Sequence, residues 1–319
     1  MLEQEQGLRR MAGKGFKIGT RGSPLALWQA NEVASRLRKA LKVPDDAIEL
    51  VIIRTSGDMS QAGGQALVGG KGAFTKEIDE AMLAGEIDLA VHSAKDMPTA
   101  FPDGIDIIGY LPREDVRDCL ISAKYKSIEE LPLGGIVGTA SLRRAALVKR
   151  IRPDIKTQVL RGNVDTRIRK SAEGEVDATL LALAGLKRLG IAEKAAAILP
   201  LDTFPPAIGQ GAVGVTARSD DARALEAFSL IADVDTGVAL AAERTFLTML
   251  DGSCRTPIAG HAVITGDQLT FHGLYLSTDG RQSFTANGSG SIKDAALIGE
   301  KAARDILAVL PEDIRTQSE

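Results

Sequence analysis

Arginine occurs three times where an apolar, strand-like run gives way to a helical pattern. The three segments are 18–24, 137–144 and 159–167, and each holds a glycine and a serine or asparagine able to cap a helix. Arginine is electrostatically unfavourable there, because a helix N-terminus carries a partial positive charge. Backbone N–H groups and arginine forks together bind carboxylates or phosphates. The repetition predicts an anion absent from the sequence, although any single arginine of this kind can equally point into solvent.

Two further residues have side chains suited to chemistry. Asp96 follows Lys95 at the end of the apolar run 87–92, and an ionised carboxylate there would stabilise a cationic intermediate or exchange a proton with it. The alternative is a turn or helix cap. Cys254 lies in the glycine-rich turn 252–257, where a thiol is reachable, and the alternative is a small buried hydrophobe. Cys119 has the surroundings of a core strand residue.

Charge is distributed unevenly along the chain. Residues 141–170 carry ten Lys or Arg against two Asp, a local charge of +8 in a chain whose net charge is −3. That pattern favours a focused anion site over general polyanion binding. The same stretch contains no aromatic residue to stack on bases, which argues against nucleic-acid binding.

Composition excludes several other classes. Two distant cysteines do not make a disulfide framework, so a reducing, cytoplasmic location is expected. No apolar run of about 18 residues is present to span a membrane. Residues 1–14 are polar and charged, unlike a secretory signal, and are interpreted as a flexible N-terminal tail. The three histidines have no metal-binding spacing, and no metal is expected.

The alternation of strand and helix patterns predicts an α/β fold of three parts. Residues 15–112 and 206–230 form α/β domain 1, with a parallel sheet between 16 and about 109, and residues 117–203 form α/β domain 2. The two chain crossings near 110–116 and 199–211 suggest a hinge with a cleft, where ligands would meet the carboxyl ends of strands. Residues 234–319 form a small α+β domain with three antiparallel strands, at 258–264, 268–276 and 281–288.

The motifs together closely resemble the porphobilinogen deaminase (hydroxymethylbilane synthase) family. The match runs from about residue 18 to 257 and is weaker beyond. The motifs that carry it are GTRGSPLALWQA (19–30), GGKGAFTKE (69–77), VHSAKDMP (91–98), GTASLRR (138–144), LRGN (160–163), LAGLKRL (183–189), PAIGQGA (206–212) and GSC (252–254). Leu67 departs from the family pattern, because many members have Lys or Arg there.

The resemblance implies a fold and an activity. The first two domains would be like the halves of a periplasmic ligand-binding protein, and the third would carry a dipyrromethane cofactor on Cys254 through a thioether. The enzyme would be a monomer that joins four porphobilinogen units on this primer, releases four ammonia molecules and frees hydroxymethylbilane by hydrolysis. Each pyrrole carries an acetate and a propionate, which suits bidentate arginine forks.

The resemblance also implies roles for individual residues. Asp96 matches the catalytic aspartate, which stabilises the azafulvene-like cation formed when ammonia leaves. Lys71 belongs to a mobile glycine-rich loop, 60–72. Residues matching those that hold cofactor carboxylates are Lys95, Thr139, Ser141, Arg143, Arg144 and Arg188. Residues matching those that bind incoming substrate are Arg21, Ser23, Arg161, Arg167 and Gln210.

Two other functions remain open at this point. A non-catalytic, two-lobed anion-binding protein would need the arginines but neither Cys254 nor Asp96. An interaction protein built on the family fold would need none of these residues. A covalently bound dipyrrole, detected by mass, would separate the enzyme from both.

Overall fold

The computed structural model describes residues 15–58, 75–252 and 256–315. The chain divides into two compact units. One runs through Arg113 and adds Ala212–Gly237, and the other comprises Glu114–Gly211 and the chain from Val238 onward. The predicted N-terminal tail, the predicted mobile loop and Cys254 lie outside the described residues.

Strands and helices alternate through both units before the chain enters a final antiparallel sheet. The strands are β1 (Phe16–Thr20), β2 (Ile48–Ile52), β3 (Leu89–Ser93), β4 (Ile105–Tyr110), β5 (Asp118–Ile121), β6 (Ile136–Gly138), β7 (Lys156–Gln158), β8 (Ala178–Ala182), β9 (Ala197–Ile198), β10 (Val213–Arg218), β11 (Ile258–Thr265), β12 (Gln268–Leu276) and β13 (Ser283–Ser291). The helices are α1 (Pro24–Leu41), α2 (Lys76–Leu83), α3 (Leu142–Ile151), α4 (Val164–Ala172), α5 (Leu183–Arg188), α6 (Ala222–Ser229), α7 (Val234–Met249), α8 (Ala295–Leu307) and α9 (Glu312–Arg315).

The first unit is built on a five-stranded sheet in the order β2-β1-β3-β10-β4. β1 is parallel to β2 and β3, whereas β10 is antiparallel to β3 and β4. The predicted parallel pairing is therefore confirmed for β1, β2 and β3, and no direction was predicted for β10. This strand is formed where the chain returns from the second unit, so no crossover helix has to turn it parallel to β3. The core lies between the sheet and α1 and α6, whose apolar faces are buried on it.

The second unit contains a sheet of the same design, in the order β7-β6-β8-β5-β9. β6 is parallel to β7 and β8, and β5 is antiparallel to β8 and β9. In both sheets the three parallel strands end at one edge, and the helices that follow begin there. The arginine junctions follow β1, β6 and β7, so each of them lies at the edge of its sheet where the parallel strands end.

The C-terminal part of the second unit is the predicted three-stranded antiparallel sheet, β11-β12-β13, packed against α8. It shares a core with the α/β part of that unit: Ala259, Leu274 and Leu276 pack with Leu147 and Val148 of α3. Two α/β sheets and this smaller sheet confirm the predicted fold class. Across the described residues, no helix combines the length and apolar character that crossing a membrane requires.

Candidate active site

Each of the three arginine junctions begins its helix at the predicted cap. The Ser23 hydroxyl accepts a hydrogen bond from the N–H of Ala26 (3.3 Å), and Ser141 accepts one from the N–H of Arg144 (3.4 Å). The Asn163 side chain accepts one from the N–H of residue 166 (2.9 Å). The side chains of Ser23 and Ser141 therefore cap α1 and α3, in addition to any part they take in binding.

In the first unit, Arg21 follows β1 and pairs with Asp58. The Arg21 Nε lies 3.0 and 3.2 Å from the two Asp58 oxygens, and Thr55 Oγ1 donates to the same carboxylate at 2.9 Å. Partial burial acts to raise the pKa of Asp58, but the hydrogen bonds and positive charge of Arg21 hold it below its usual value. Arg21 therefore has a carboxylate partner within the chain.

Asp96 lies in a short 3-10 turn, residues 94–96, that directly follows β3. Its side chain is exposed and forms no hydrogen bond or ion pair with any other described residue. Lys95, next to it, is half-buried. His92, earlier on β3, is buried with its Nε2 3.2 Å from Thr216 Oγ1, and burial and the nearby Arg21 lower its pKa to about 4. Asp96 is thus an exposed carboxylate at the end of β3 with no partner among the described residues, whereas His92 is a neutral core residue.

In the second unit, Arg143 and Arg144 open α3 and are almost completely buried, at 3% and 5% exposure. Both pair with Asp118, the fully buried first residue of β5. Arg143 Nη2 lies 2.7 Å from one Asp118 oxygen, and Arg144 Nη2 and Nε lie 2.6 and 3.1 Å from the other. Backbone carbonyls accept further bonds, Pro205 O from Arg143 (2.7 Å) and Leu180 O from Arg144 (2.9 Å).

Arg143 is the less satisfied of the two. Its guanidinium carbon lies 6.0 Å from the centre of the Phe204 ring, at the outer limit of a cation–π contact. Its Nε is buried with no hydrogen-bond partner among the described residues. Burial lowers the pKa of this guanidinium from its usual value, with Asp118 acting in the opposite direction.

Gln210 joins the same cluster from the segment that links the second unit to β10. It is fully buried, and its Nε2 donates to Val116 O (2.7 Å) and to Asp118 (3.1 Å). Glu243 of α7 fixes that segment, because its carboxylate accepts hydrogen bonds from the N–H groups of Gly209 (2.8 Å) and Ala262 (2.9 Å). Gln210 is therefore held as part of the core instead of projecting outward.

The remaining predicted binding residues of this unit differ in exposure. Thr139 is buried after β6, and its hydroxyl accepts from the N–H of Ser141 (3.1 Å). Arg161 is exposed and makes no hydrogen bond or ion pair within the described ranges. Arg167 Nε donates to Gly162 O at 2.9 Å. Arg188, at the end of α5, donates to the carbonyl of residue 211 at 2.6 Å.

Asp58 and Asp118 pair with the junction arginines, and the sequence did not identify either contact. The sequence pattern predicted an external anion that offsets the arginines, but at two of the three junctions the chain itself supplies a carboxylate. Asp58 follows β2, which pairs with β1, so its contact with Arg21 comes from sheet pairing. Asp118 opens β5, which pairs with β8 next to β6. Only the order of strands in each sheet could have revealed either contact.

Other expectations concern the cysteines, metal binding and Lys71. Cys119 is buried in β5, with its sulfur 3.3 Å from Leu181 O, as expected of a core residue. Within the described part of the chain, no three His, Cys, Asp or Glu side chains form a group able to hold a metal ion. Cys254 and Lys71 fall outside the described residues, so their roles stay predictions.

Comparison with known proteins gives a family. The model described as "Porphobilinogen deaminase, dipyromethane cofactor binding domain" matches residues 16–226, and the model of the porphobilinogen deaminase C-terminal domain matches residues 238–308. The chain belongs to the porphobilinogen deaminase family. It is 56% identical over 289 residues to the porphobilinogen deaminase of Nitrobacter hamburgensis and 55% identical over 289 residues to that of Nitrobacter winogradskyi. Each alignment covers 91% of this chain and 92% of the relative.

Among solved structures, this family member resembles a methionine-binding lipoprotein from Bacillus subtilis with a TM-score of 0.45 and 11% identity, covering 70% of this chain and 92% of the other. It resembles a periplasmic substrate-binding protein from Coxiella burnetii with a TM-score of 0.44 and 14% identity, covering 72% and 96%.

Proposed function

We propose that this chain is a porphobilinogen deaminase that joins four porphobilinogen molecules head to tail on a dipyrromethane primer bound to Cys254. Each addition breaks the aminomethyl C–N bond of one porphobilinogen, releases ammonia and forms a C–C bond. Hydrolysis then frees hydroxymethylbilane. The strongest support is that two porphobilinogen deaminase family models match residues 16–226 and 238–308. The chain is also 55–56% identical to two porphobilinogen deaminases over 91% of its length.

The residues of the second unit suit a group rich in carboxylates. Arg143 has a buried Nε without an acceptor among the described residues, and a carboxylate oxygen would supply one. Arg144 and Ser141 stand at the positive end of α3. Thr139 and Arg188 of the same unit would take part as well, and the family resemblance implies the same role for Lys95 of the first unit. Arg161 offers an exposed guanidinium to the carboxylates of the incoming substrate. When bound, the dipyrromethane supplies the pyrrole carbon on which the chain grows.

Asp96 would carry the charge chemistry. Loss of ammonia leaves a positive charge on the substrate, and a fixed carboxylate facing that charge lowers the barrier, because its orientation costs no reorganisation during the reaction. The same carboxylate can take up the proton lost when the new C–C bond forms. Asp96 is free for both tasks, since no described residue occupies its oxygens.

Replacing Asp96 tests this role. Asp96→Asn should keep the fold and the cofactor but lower kcat for ammonia release by about 10²–10³-fold, a typical loss when a preorganised electrostatic contact is removed. Asp96→Glu should be milder, because the charge remains but is displaced. Asp106→Asn is a matched control, since Asp106 is also an exposed aspartate of the first unit without a partner in the described ranges.

The outcomes separate the enzyme from an anion-binding protein. A general carboxylate-binding role predicts that Asp96→Asn tightens porphobilinogen binding and leaves turnover intact. An Asp96→Asn protein with full cofactor and a kcat equal to that of Asp106→Asn would remove Asp96 from the mechanism.

We also expect the enzyme to act as a cytoplasmic monomer that binds neither nucleic acid nor membrane. The family resemblance supports the monomer, and the two cysteines and the missing aromatic residues at 141–170 support the rest. Sedimentation of the purified protein would test the oligomeric state, and a dimer at micromolar concentration would contradict it.

A further inference from the structure

Asp118 is the centre of a fully buried polar cluster. Its carboxylate accepts hydrogen bonds from Arg143 Nη2 (2.7 Å), from Arg144 Nη2 and Nε (2.6 and 3.1 Å) and from Gln210 Nε2 (3.1 Å). The side chain of Asp118 has no solvent exposure, and those of the two arginines have 4% and 6%. One carboxylate therefore fixes two guanidiniums and an amide that come from different parts of the chain.

The charges in this cluster do not balance. Two guanidiniums face one carboxylate, which leaves a buried excess of one positive charge. No second carboxylate is hydrogen-bonded to either arginine within the described residues, and the Arg143 Nε has no acceptor there. A buried charge and a buried unpaired donor are each unfavourable. Both are relieved by the same change, which is the arrival of one anionic acceptor.

Asp118 also determines where the arginines can point. Arginine side chains have many rotamers, and ordering them on binding opposes affinity. Here Asp118 holds part of each guanidinium, and Pro205 O and Leu180 O hold the other terminal nitrogens. The ordering is thus completed by the fold before any ligand binds, and only the remaining donor capacity is left for it.

We infer that Asp118 is a positioning residue of the cofactor site: it fixes Arg143 and Arg144 in advance and leaves one net positive charge for a single carboxylate arm of the dipyrromethane. This inference rests on the proposed function and adds to it. Arg143 and Arg144 then act as one unit that accepts one acetate or propionate, instead of each binding a separate carboxylate. The remaining carboxylates must be held by other residues.

The test is Asp118→Asn in the full-length chain, produced in a haem-synthesising host. Intact mass gives the fraction of folded protein that carries dipyrromethane, and circular dichroism checks the fold. We expect this fraction to fall from near full to about a tenth or less, because a buried charge pair that loses one member is strongly disrupted. Asp154→Asn is the matched control. Asp154 accepts two 2.7 Å hydrogen bonds from Arg152 in the same unit, but it is partly exposed. The fraction of folded Asp154→Asn protein that carries dipyrromethane should therefore equal that of the wild type.

A purely structural Asp118 predicts a different result. The variant would then be less resistant to urea, but its folded fraction would load fully, since removing the negative charge makes the cluster more attractive to an anion. Full loading of folded Asp118→Asn would overturn the inference. An unloaded wild-type protein would instead refute the proposed function itself, so the two failures are distinguishable.

A second measurement covers the case in which Asp118→Asn does not fold. In the folded, cofactor-free Cys254→Ser protein, the Arg144 Nε–H should exchange with solvent much more slowly than the Arg161 Nε–H, by NMR. Equal, fast exchange at both arginines would show that Asp118 does not fix Arg144 in advance.

Discussion

Replacing Arg144 by leucine should destabilise the cofactor-free Cys254→Ser protein far more than replacing Arg161 by leucine. Arg144→Leu removes three hydrogen bonds from a buried site, two to Asp118 and one to Leu180 O. Losing one partner of a buried ion pair costs roughly 3–5 kcal/mol. The lower end applies here, because Asp118 keeps Arg143 and Gln210 as donors. We therefore expect the free energy of unfolding to fall by about 3 kcal/mol.

Arg161→Leu supplies the contrast. Arg161 is exposed and has no partner in the described part of the chain, so its replacement should change the free energy of unfolding by no more than about 0.5 kcal/mol. The Cys254→Ser background matters, because a bound cofactor would add its own stabilisation to every variant. Urea unfolding followed by circular dichroism measures both effects.

The functional consequences follow the same division. With Cys254 restored, Arg144→Leu and Arg143→Leu should block cofactor assembly. Arg161→Leu and Arg167→Leu should retain the cofactor but slow elongation, measured as ammonia released. Equal stability loss in Arg144→Leu and Arg161→Leu, or equal cofactor content and activity in all four variants, would refute this division.

Two further predictions concern stability. Gly280 has φ +73°, and a Cβ there would lie 2.2 Å from the backbone oxygen of Ala146, so Gly280→Ala should lower the free energy of unfolding by about 2–4 kcal/mol. Gly190 has φ +70° with nothing within 4 Å of such a Cβ, so Gly190→Ala should lower it by only about 1 kcal/mol. Equal urea midpoints for the two variants would contradict the close contact between Gly280 and Ala146. Burial raises the pKa of Asp79 to about 6, with its Oδ1 unpartnered in the described ranges. The folded protein therefore holds this proton more tightly than the unfolded chain, and stability is lost as pH rises from about 4 to 6. Asp79→Asn should avoid that loss, raising stability by about 1–3 kcal/mol at pH 7.5 and by almost nothing at pH 4; an equal change at both pH values in urea titrations would refute the assignment.

Local patterns in the sequence predicted the starts of three helices and the strands of the C-terminal sheet. The helices α1, α3 and α4 begin at the caps Ser23, Ser141 and Asn163, where glycine, cap residues and apolar spacing indicated. These features depend on residues within a few positions of each other, so sequence is sufficient to predict them.

Features that depend on strand order were missed. The strand β4, the two-residue strand β9 and the antiparallel direction of β10 are set by which strands become neighbours, and short runs carry little periodicity to reveal that. The same limit applies to the site. Arg144 and Asp118 are 26 residues apart, and β5 reaches its place in the sheet only through its pairing with β8. The arginines were identified, but their internal counter-charge was not.

The most direct test of the proposed activity is the intact mass of the purified protein, alone and after brief exposure to porphobilinogen. The protein from a haem-synthesising host should be heavier than its sequence by one dipyrromethane. Exposure should add further increments, each equal to one porphobilinogen less one ammonia. Cys254→Ser should have the bare mass in both states. A wild-type protein at the bare sequence mass, unchanged by porphobilinogen, would contradict the account.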